Sequence, residues 1–251
     1  MDTNQLRKLI TKKTKVILPV HFGGHPCKMD EIMQICKEND LILIEDAAHA
    51  AGASYNKKKI GSHGSAVCFS FHPVKNLAMP NGGLISINHF SHKRIKKELY
   101  AKRWCGITNR KGPSYDVKEI GFNYYMNEFS AAIGLVQLQK LEKMNQKRIK
   151  IARLYNKELA IEKKMPLNNE CAYHLYWIQV KNRTKFMKEM TRIGIETGIH
   201  YKPIHKMTMY RSNFHLPVTN QVSEHIVSIP NHPNLSPEDI ERIITNVNEF
   251  S

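Results

Sequence analysis

The chain has 251 residues, 41% hydrophobic and 24% charged, which is an ordinary balance for a folded protein and enough length for one large domain or two modest ones. Its 38 basic and 22 acidic residues leave a formal charge of +16, a field that attracts polyanions. The lysines are spread along the chain (Lys12, Lys13, Lys57 to Lys59, Lys93 to Lys97, Lys147 to Lys150) instead of forming a basic arm, so solvated faces are expected and nucleic acid is not.

Asn4 to Leu9 is predicted as a short helix leading into VILPVH at Val16 to His21, a strand-like run closed by the turn signal FGGHP. Met29, Ile32, Met33, Ile35 and Cys36 make a helical stripe, and LILIEDAA from Leu41 reads as a buried parallel strand. AVCFSF at Ala66 to Phe71 and GLISI at Gly83 to Ile87 add two more strands. The first half is therefore expected to be an α/β layer structure with a mostly parallel sheet.

From Asn127 the period changes to that of a long helix, with Phe129, Ile133 and Val136 on one side, continuing to about Leu159 and bridging out of the first domain. HLYWIQV at His174 to Val180, a helix near Lys185 to Ile193 and a last helix after the start signal Ser236-Pro237 make up a smaller α+β unit. The expected division is a large domain over residues 1–140 and a small C-terminal domain over 141–251, with no internal repeat or low-complexity linker.

The most apolar stretch, LILIEDAAHAAGA, carries Glu45 and Asp46 in its middle, and MDTNQLRKLITKKTK has no apolar run of the secretory kind. A cytoplasmic protein without a membrane partner is expected. Five cysteines (Cys27, Cys36, Cys68, Cys105, Cys171) stand far apart with no CxxC pair, which reads as structural thiols. Among 13 histidines, His21 with His25 and His200 with His205 are the candidate metal pairs. Gly23 and Gly24 interrupt the first and Pro203 the second, so no helix aligns two imidazoles and no metal is expected.

The chemistry is expected beyond the carboxyl ends of the strands, where open parallel sheets gather their ligands. Asp46 follows LILI there, and Lys75 follows AVCFSF just past Pro73. A strand interior has no use for an unpaired ammonium, so Lys75 either points to water or has its amine recruited for chemistry. Proline cannot donate a ladder hydrogen bond, so Pro73 is expected to end the strand and turn the chain toward a cleft.

The ordered set EDAAHA, SFHPVKN, GFNYYMNEFSAAIGLVQL and HYKPIH resembles the DegT/DnrJ/EryC1/StrS family of nucleotide-sugar aminotransferases from the first strand to the last helix. The resemblance implies the aspartate-aminotransferase fold (fold type I), pyridoxal 5'-phosphate as cofactor, and amination of a keto-sugar carried on a nucleotide, with glutamate as the usual donor. By that likeness Lys75 is the lysine bonded to the cofactor's aldehyde carbon, and Asp46 pairs with the pyridine nitrogen. Ala48 lies against the ring face. His49 stands where relatives more often have glutamine, in a hydrogen-bonding or a stacking role.

Ser70 matches a hydroxyl that donates to the cofactor phosphate, and Asn123 an amide that reaches the phosphate from the neighbouring subunit, which implies a homodimer. His200, Tyr201 and His205 match a segment beside the sugar. Tyr125 departs from relatives that carry arginine or histidine. The chain also starts where relatives are already under way, before which they carry a phosphate-gripping turn and a ring-stacking aromatic. A truncated remnant or partial subunit without catalysis is the alternative expectation.

Overall fold

The computed structural model describes residues Met1–Ser251, which divide into two compact units, 1–22 with 26–142 and 23–25 with 143–251. The first unit opens with α1 (Thr3–Leu9), capped by the Asp2 side chain, which accepts from the backbone N–H of Asn4 and Gln5. β1 (Val16–Ile17), α2 (Met29–Glu38) and β2 (Ile42–Asp46) follow, with Val16 opposite Ile42 in a parallel pair. The stripe of α2 does what its spacing requires: Met29, Ile32, Ile35 and Cys36 are buried with Ile17 and Leu43 in one cluster, whereas Met33 is exposed.

β3 (Ser54–Tyr55) and β4 (Lys58–Lys59) form a small hairpin whose two turn residues, Asn56 and Lys57, both have positive φ, as a tight two-residue hairpin turn demands. β5 (Ala66–Ser70) pairs parallel with β2, and β6 (Gly83–Ile87) pairs antiparallel with β5, giving a sheet in the order β1-β2-β5-β6. The antiparallel β6 modifies the expected sheet. Its cause is the connection: residues 71–82 hold no helix to carry the chain back to the sheet's starting edge, so the strand returns in the opposite direction.

VILPVH also proves shorter as a strand than its composition suggests. The ladder stops at Ile17, because Pro19 has no N–H to give, and resumes only as a bridge between Val20 and Asp46. After β6 come α3 (His92–Arg103) and the hairpin of β7 (Ile107–Lys111) and β8 (Ser114–Val117), the latter absent from the sequence expectations. The long helix α4 spans Glu128–Glu158; Gly134 in it comes against Met79, which with Ala51, Leu77 and Leu141 forms a second apolar cluster.

In the second unit, β9 (Tyr176–Gln179), α5 (Arg183–Arg192), α6 (Pro217–His225), β10 (Ile226–Ile229) and α7 (Pro237–Phe250) surround a core rich in aromatics, with Tyr155, Tyr173, Tyr176 and Phe186 at its centre. β9 and β10 are antiparallel. α7 begins as its sequence signal says, with Ser236 and Asp239 capping each other's backbone N–H and Pro237 in the first turn.

Candidate active site

β2 and β5 run parallel with Asp46 opposite Cys68, so the chain leaves both strands at the same end of the sheet. Asp46, the last residue of β2, is half-buried, and its Oδ1 accepts from the Ala48 N–H at 2.9 Å. Its backbone is held from the other side as well: Asp46 N donates to Pro19 O at 2.9 Å, and His21 N donates to Asp46 O at 3.0 Å.

Beyond β5, His72-Pro73-Val74-Lys75 forms a β-turn closed by Lys75 N donating to His72 O at 2.8 Å, with Pro73 at the second position, where its fixed φ favours the turn. The loop is tied down by Phe71 N to Gly82 O and Met79 N to Phe71 O, both 2.9 Å. Lys75 is half-buried. Burial pushes its amine below the usual lysine range, while the Asp46 charge pulls it partly back, so the two side chains feel each other.

Ser70 ends β5, and its Oγ accepts a long 3.4 Å bond from His72 N. His49 is buried, its ring 6.3 Å from that of Phe22. This donor set suits pyridoxal phosphate: a carboxylate for a cationic ring nitrogen, a lysine whose cation is disfavoured by burial, an alanine small enough to lie against a ring, and a serine hydroxyl for a phosphate oxygen.

Beneath the site lies a pair that the sequence reading passed over. The side chains of His21 and Glu45 are both 0% exposed, and His21 Nε2 lies 2.8 Å from Glu45 Oε2. The Cys27 backbone N–H donates to His21 Nδ1 at 3.1 Å, which places the ring proton on Nε2, facing the carboxylate. Glu45 Oε1 accepts from Gly64 N. A side chain on Gly64 would crowd that carboxylate, its Cβ falling 2.9 Å from Glu45 Oε1 and from Leu43 O. The signal for this pair was a glutamate inside the apolar run LILIED, a position that demands a buried partner.

The other expected residues stand on other elements of the chain. Asn123 is exposed, bridges to Trp104, and lines a recess of about 310 Å³ with Asn81, Gly82, Tyr125 and Ser130. Tyr125 Oη donates to Glu128 Oε1 at 3.1 Å, and its ring faces the Arg103 guanidinium at 5.4 Å. His200, Tyr201 and His205 belong to the second unit, where His200 Nδ1 lies 2.9 Å from Ser228 Oγ and His205 Nε2 lies 2.9 Å from Asn220 Oδ1. The His200 and Tyr201 rings meet edge to face at 4.8 Å.

Among known proteins, the chain is 34% identical to the uncharacterized protein MJ1066 of Methanocaldococcus jannaschii, the match covering 100% of this chain and 70% of that one. Its fold matches PseC of Helicobacter pylori, an aminotransferase of pseudoaminic acid biosynthesis, with a TM-score of 0.91 at 29% identity, over 100% of this chain and 70% of the other. It matches the putative sugar aminotransferase Spr1654 of Streptococcus pneumoniae in its PLP form with a TM-score of 0.92 at 28% identity, over 100% and 71% of the two chains. The PMP form of that protein matches with a TM-score of 0.93 at 28% identity, over 100% and 72%. The sequence profile of the DegT/DnrJ/EryC1/StrS aminotransferase family covers residues 1–248. The chain belongs to that family of pyridoxal-phosphate-dependent sugar aminotransferases.

Proposed function

We propose that the chain moves an amino group from an amino acid, glutamate by family likeness, to a keto-sugar carried on a nucleotide. One observation carries the reading: at the carboxyl ends of two adjacent parallel strands, a lysine amine that burial favours as neutral stands within the field of a carboxylate. When bound, pyridoxal phosphate supplies an aldehyde that exchanges amines and a ring that takes up electrons from a carbon losing its proton.

Lys75 Nζ would be the group that holds the cofactor, and when released from it would be the base placed to take a proton from the donor's α carbon and to return one to the sugar carbon. Asp46 keeps a proton on the ring nitrogen by accepting it in a hydrogen bond. Ala48 gives the ring room to lie flat, and His49 bonds to it or stacks on it. Ser70 Oγ donates to the phosphate. Asn123 serves the phosphate of a second copy of the chain, and His200, Tyr201 and His205 serve the sugar.

A homodimer is part of this reading. Its support is the first half of α4, where Phe129 is 84% exposed and Leu135 and Leu138 also face solvent, an apolar surface of the kind that obligate interfaces bury. The working place is the cytoplasm; no helix is long and apolar enough to cross a membrane.

The test is to incubate the protein with pyridoxal phosphate, glutamate and a panel of keto-sugar nucleotides, reading amino-sugar and 2-oxoglutarate by mass spectrometry. Coupled appearance of both products with one or more panel members is expected. Product formation that is equal with Lys75→Ala would contradict the reading.

A further inference from the structure

Relatives carry arginine or histidine at position 125, two residues past Asn123, and this chain has the neutral ring of Tyr125. The donors assigned to the cofactor phosphate, Ser70 Oγ and the Asn123 amide, are neutral as well, whereas a phosphate dianion is held most strongly by charge-assisted bonds. Another element brings a cation to the same place. Arg103, the last residue of α3, has its guanidinium 5.4 Å from the centroid of the Tyr125 ring.

The backbone fixes this meeting. Phe122 N donates to Lys102 O at 2.7 Å, Tyr124 N donates to Arg103 O at 2.9 Å, and Trp104 bridges Asn123, so the end of α3 runs antiparallel along residues 122–124. The Tyr100 ring, three residues earlier on α3, lies 4.5 Å from the same guanidinium. Two ring faces against Arg103 hold its fork while leaving the N–H edges unused. No carboxylate lies within ion-pair distance of it, and its Nε is buried with no hydrogen-bond partner.

The recess beside it is lined for an anion. Arg103 shares the wall of that 310 Å³ space with Asn81, Asn123, Asn127 and Ser130, and no acidic residue belongs to it. The helix α4 starts there: Ser130 N donates to the Asn127 Oδ1 cap at 2.8 Å, so the positive end of a 31-residue helix opens on the recess, with Ser130 only 2% exposed. Glu128, the acid of that first turn, is not in the wall and accepts from Tyr125 Oη. We infer that Arg103 is a cofactor-binding residue, supplying to the phosphate at Asn123 the positive charge that relatives carry at position 125. The inference rests on the reading of Asn123 as a donor to the phosphate of a second copy, and it adds the cation which that reading lacks.

Pyridoxal phosphate and pyridoxal, which has a hydroxyl in place of the phosphate ester, are the probes. Each is titrated into the full chain, the Lys75 adduct is trapped with borohydride, and its amount by mass spectrometry gives a half-saturating concentration. The ratio of the two concentrations reads the preference for the phosphate and needs neither amino donor nor sugar. Comparing that ratio between variants cancels what differs between the free aldehydes. Arg103→Met should lose about tenfold or more of the preference while its half-saturation with pyridoxal stays within about twofold of the parent, and thermal melts by circular dichroism report the fold. Arg103→Met/Tyr125→Arg, which returns the cation to position 125, should regain most of the lost preference.

A parental preference in Arg103→Met overturns the inference. So does an equal weakening of both aldehydes, which would make Arg103 structural only, and so does a double variant no better than the single one. A parent that traps neither aldehyde on Lys75 overturns the cofactor assignments and this inference with them. A preference that depends on Arg103 in a protein that makes no amino-sugar supports the inference and removes the sugar-transfer reading alone.

Discussion

Glu45→Gln tests the buried network under Asp46, because the proton arrangement there admits only one solution. His21 Nδ1 receives the Cys27 N–H, so its proton sits on Nε2 and needs an acceptor, which Glu45 Oε2 provides at 2.8 Å; Glu45 Oε1 takes the Gly64 N–H. Glutamine has one oxygen for these two donors. If its oxygen faces Gly64, its NH₂ meets the His21 N–H, and if it is flipped, its NH₂ meets the Gly64 N–H. Moving the imidazole proton to Nδ1 only transfers the clash to Cys27. Each arrangement loses one charge-assisted bond in a site with no solvent access, a cost of about 1.5–3 kcal/mol.

At 2–4 °C per kcal/mol for chains of this size, the melting temperature should fall by roughly 3–12 °C. The chain has two units, so a single global transition is not assured, and hydrogen exchange of peptides covering Leu41 to His49 localises the effect. Faster exchange there, with β9 and β10 unchanged, is expected. A Glu45→Gln protein that melts within about 1 °C of the parent and exchanges equally over Leu41 to His49 would refute this proton assignment.

Three further outcomes are expected. The acylation rate of Lys75 followed against pH, without cofactor, should show a midpoint below the 10.5 of an ordinary lysine, because burial disfavours its cation; in Asp46→Asn the midpoint should fall further, since the carboxylate that pulls it up is gone, and a rise would reverse the assigned causes. Asp46→Asn should also lower amino transfer by orders of magnitude while leaving cofactor attachment intact, and near-parental turnover would make the carboxylate structural only. In Gly121→Ala the new Cβ would fall 1.9 Å from the Gly106 backbone nitrogen, so the base of the β7–β8 hairpin must open. Loss of exchange protection at Cys105 and Phe122, whose N–H groups bond Phe122 O and Lys102 O, is the readout, and unchanged protection would show that the backbone can absorb the strain.

Local signals carried the sequence reading where they were strong. The stripe of α2, the continuous apolar run of β2 and the Ser236-Pro237 start of α7 each depend on spacing or capping chemistry within a few residues, and each stands where it was expected. Strand direction has no such signal. GLISI reads the same whichever way it runs, and only the helix-free loop before it decides. The β7–β8 hairpin was illegible because ITNRK and SYDV are mostly exposed, the first without alternation and the second too short for its alternation to stand out, and β10 because IVSI is buried throughout and too short to show a period. Pro73 marked a turn correctly but not its place: β5 had already ended at Ser70, and the proline sits inside the turn. His21 and Glu45 are 24 residues apart, a distance over which no local pattern pairs two side chains.

The central claim is that Lys75 is the residue to which the cofactor attaches. Incubating the protein with pyridoxal phosphate, reducing with borohydride and mapping peptides by mass spectrometry tests it directly. The account predicts a phosphopyridoxyl group on Lys75 that is absent from Lys75→Ala, whereas a group found chiefly on another lysine, or retained in that variant, would contradict it.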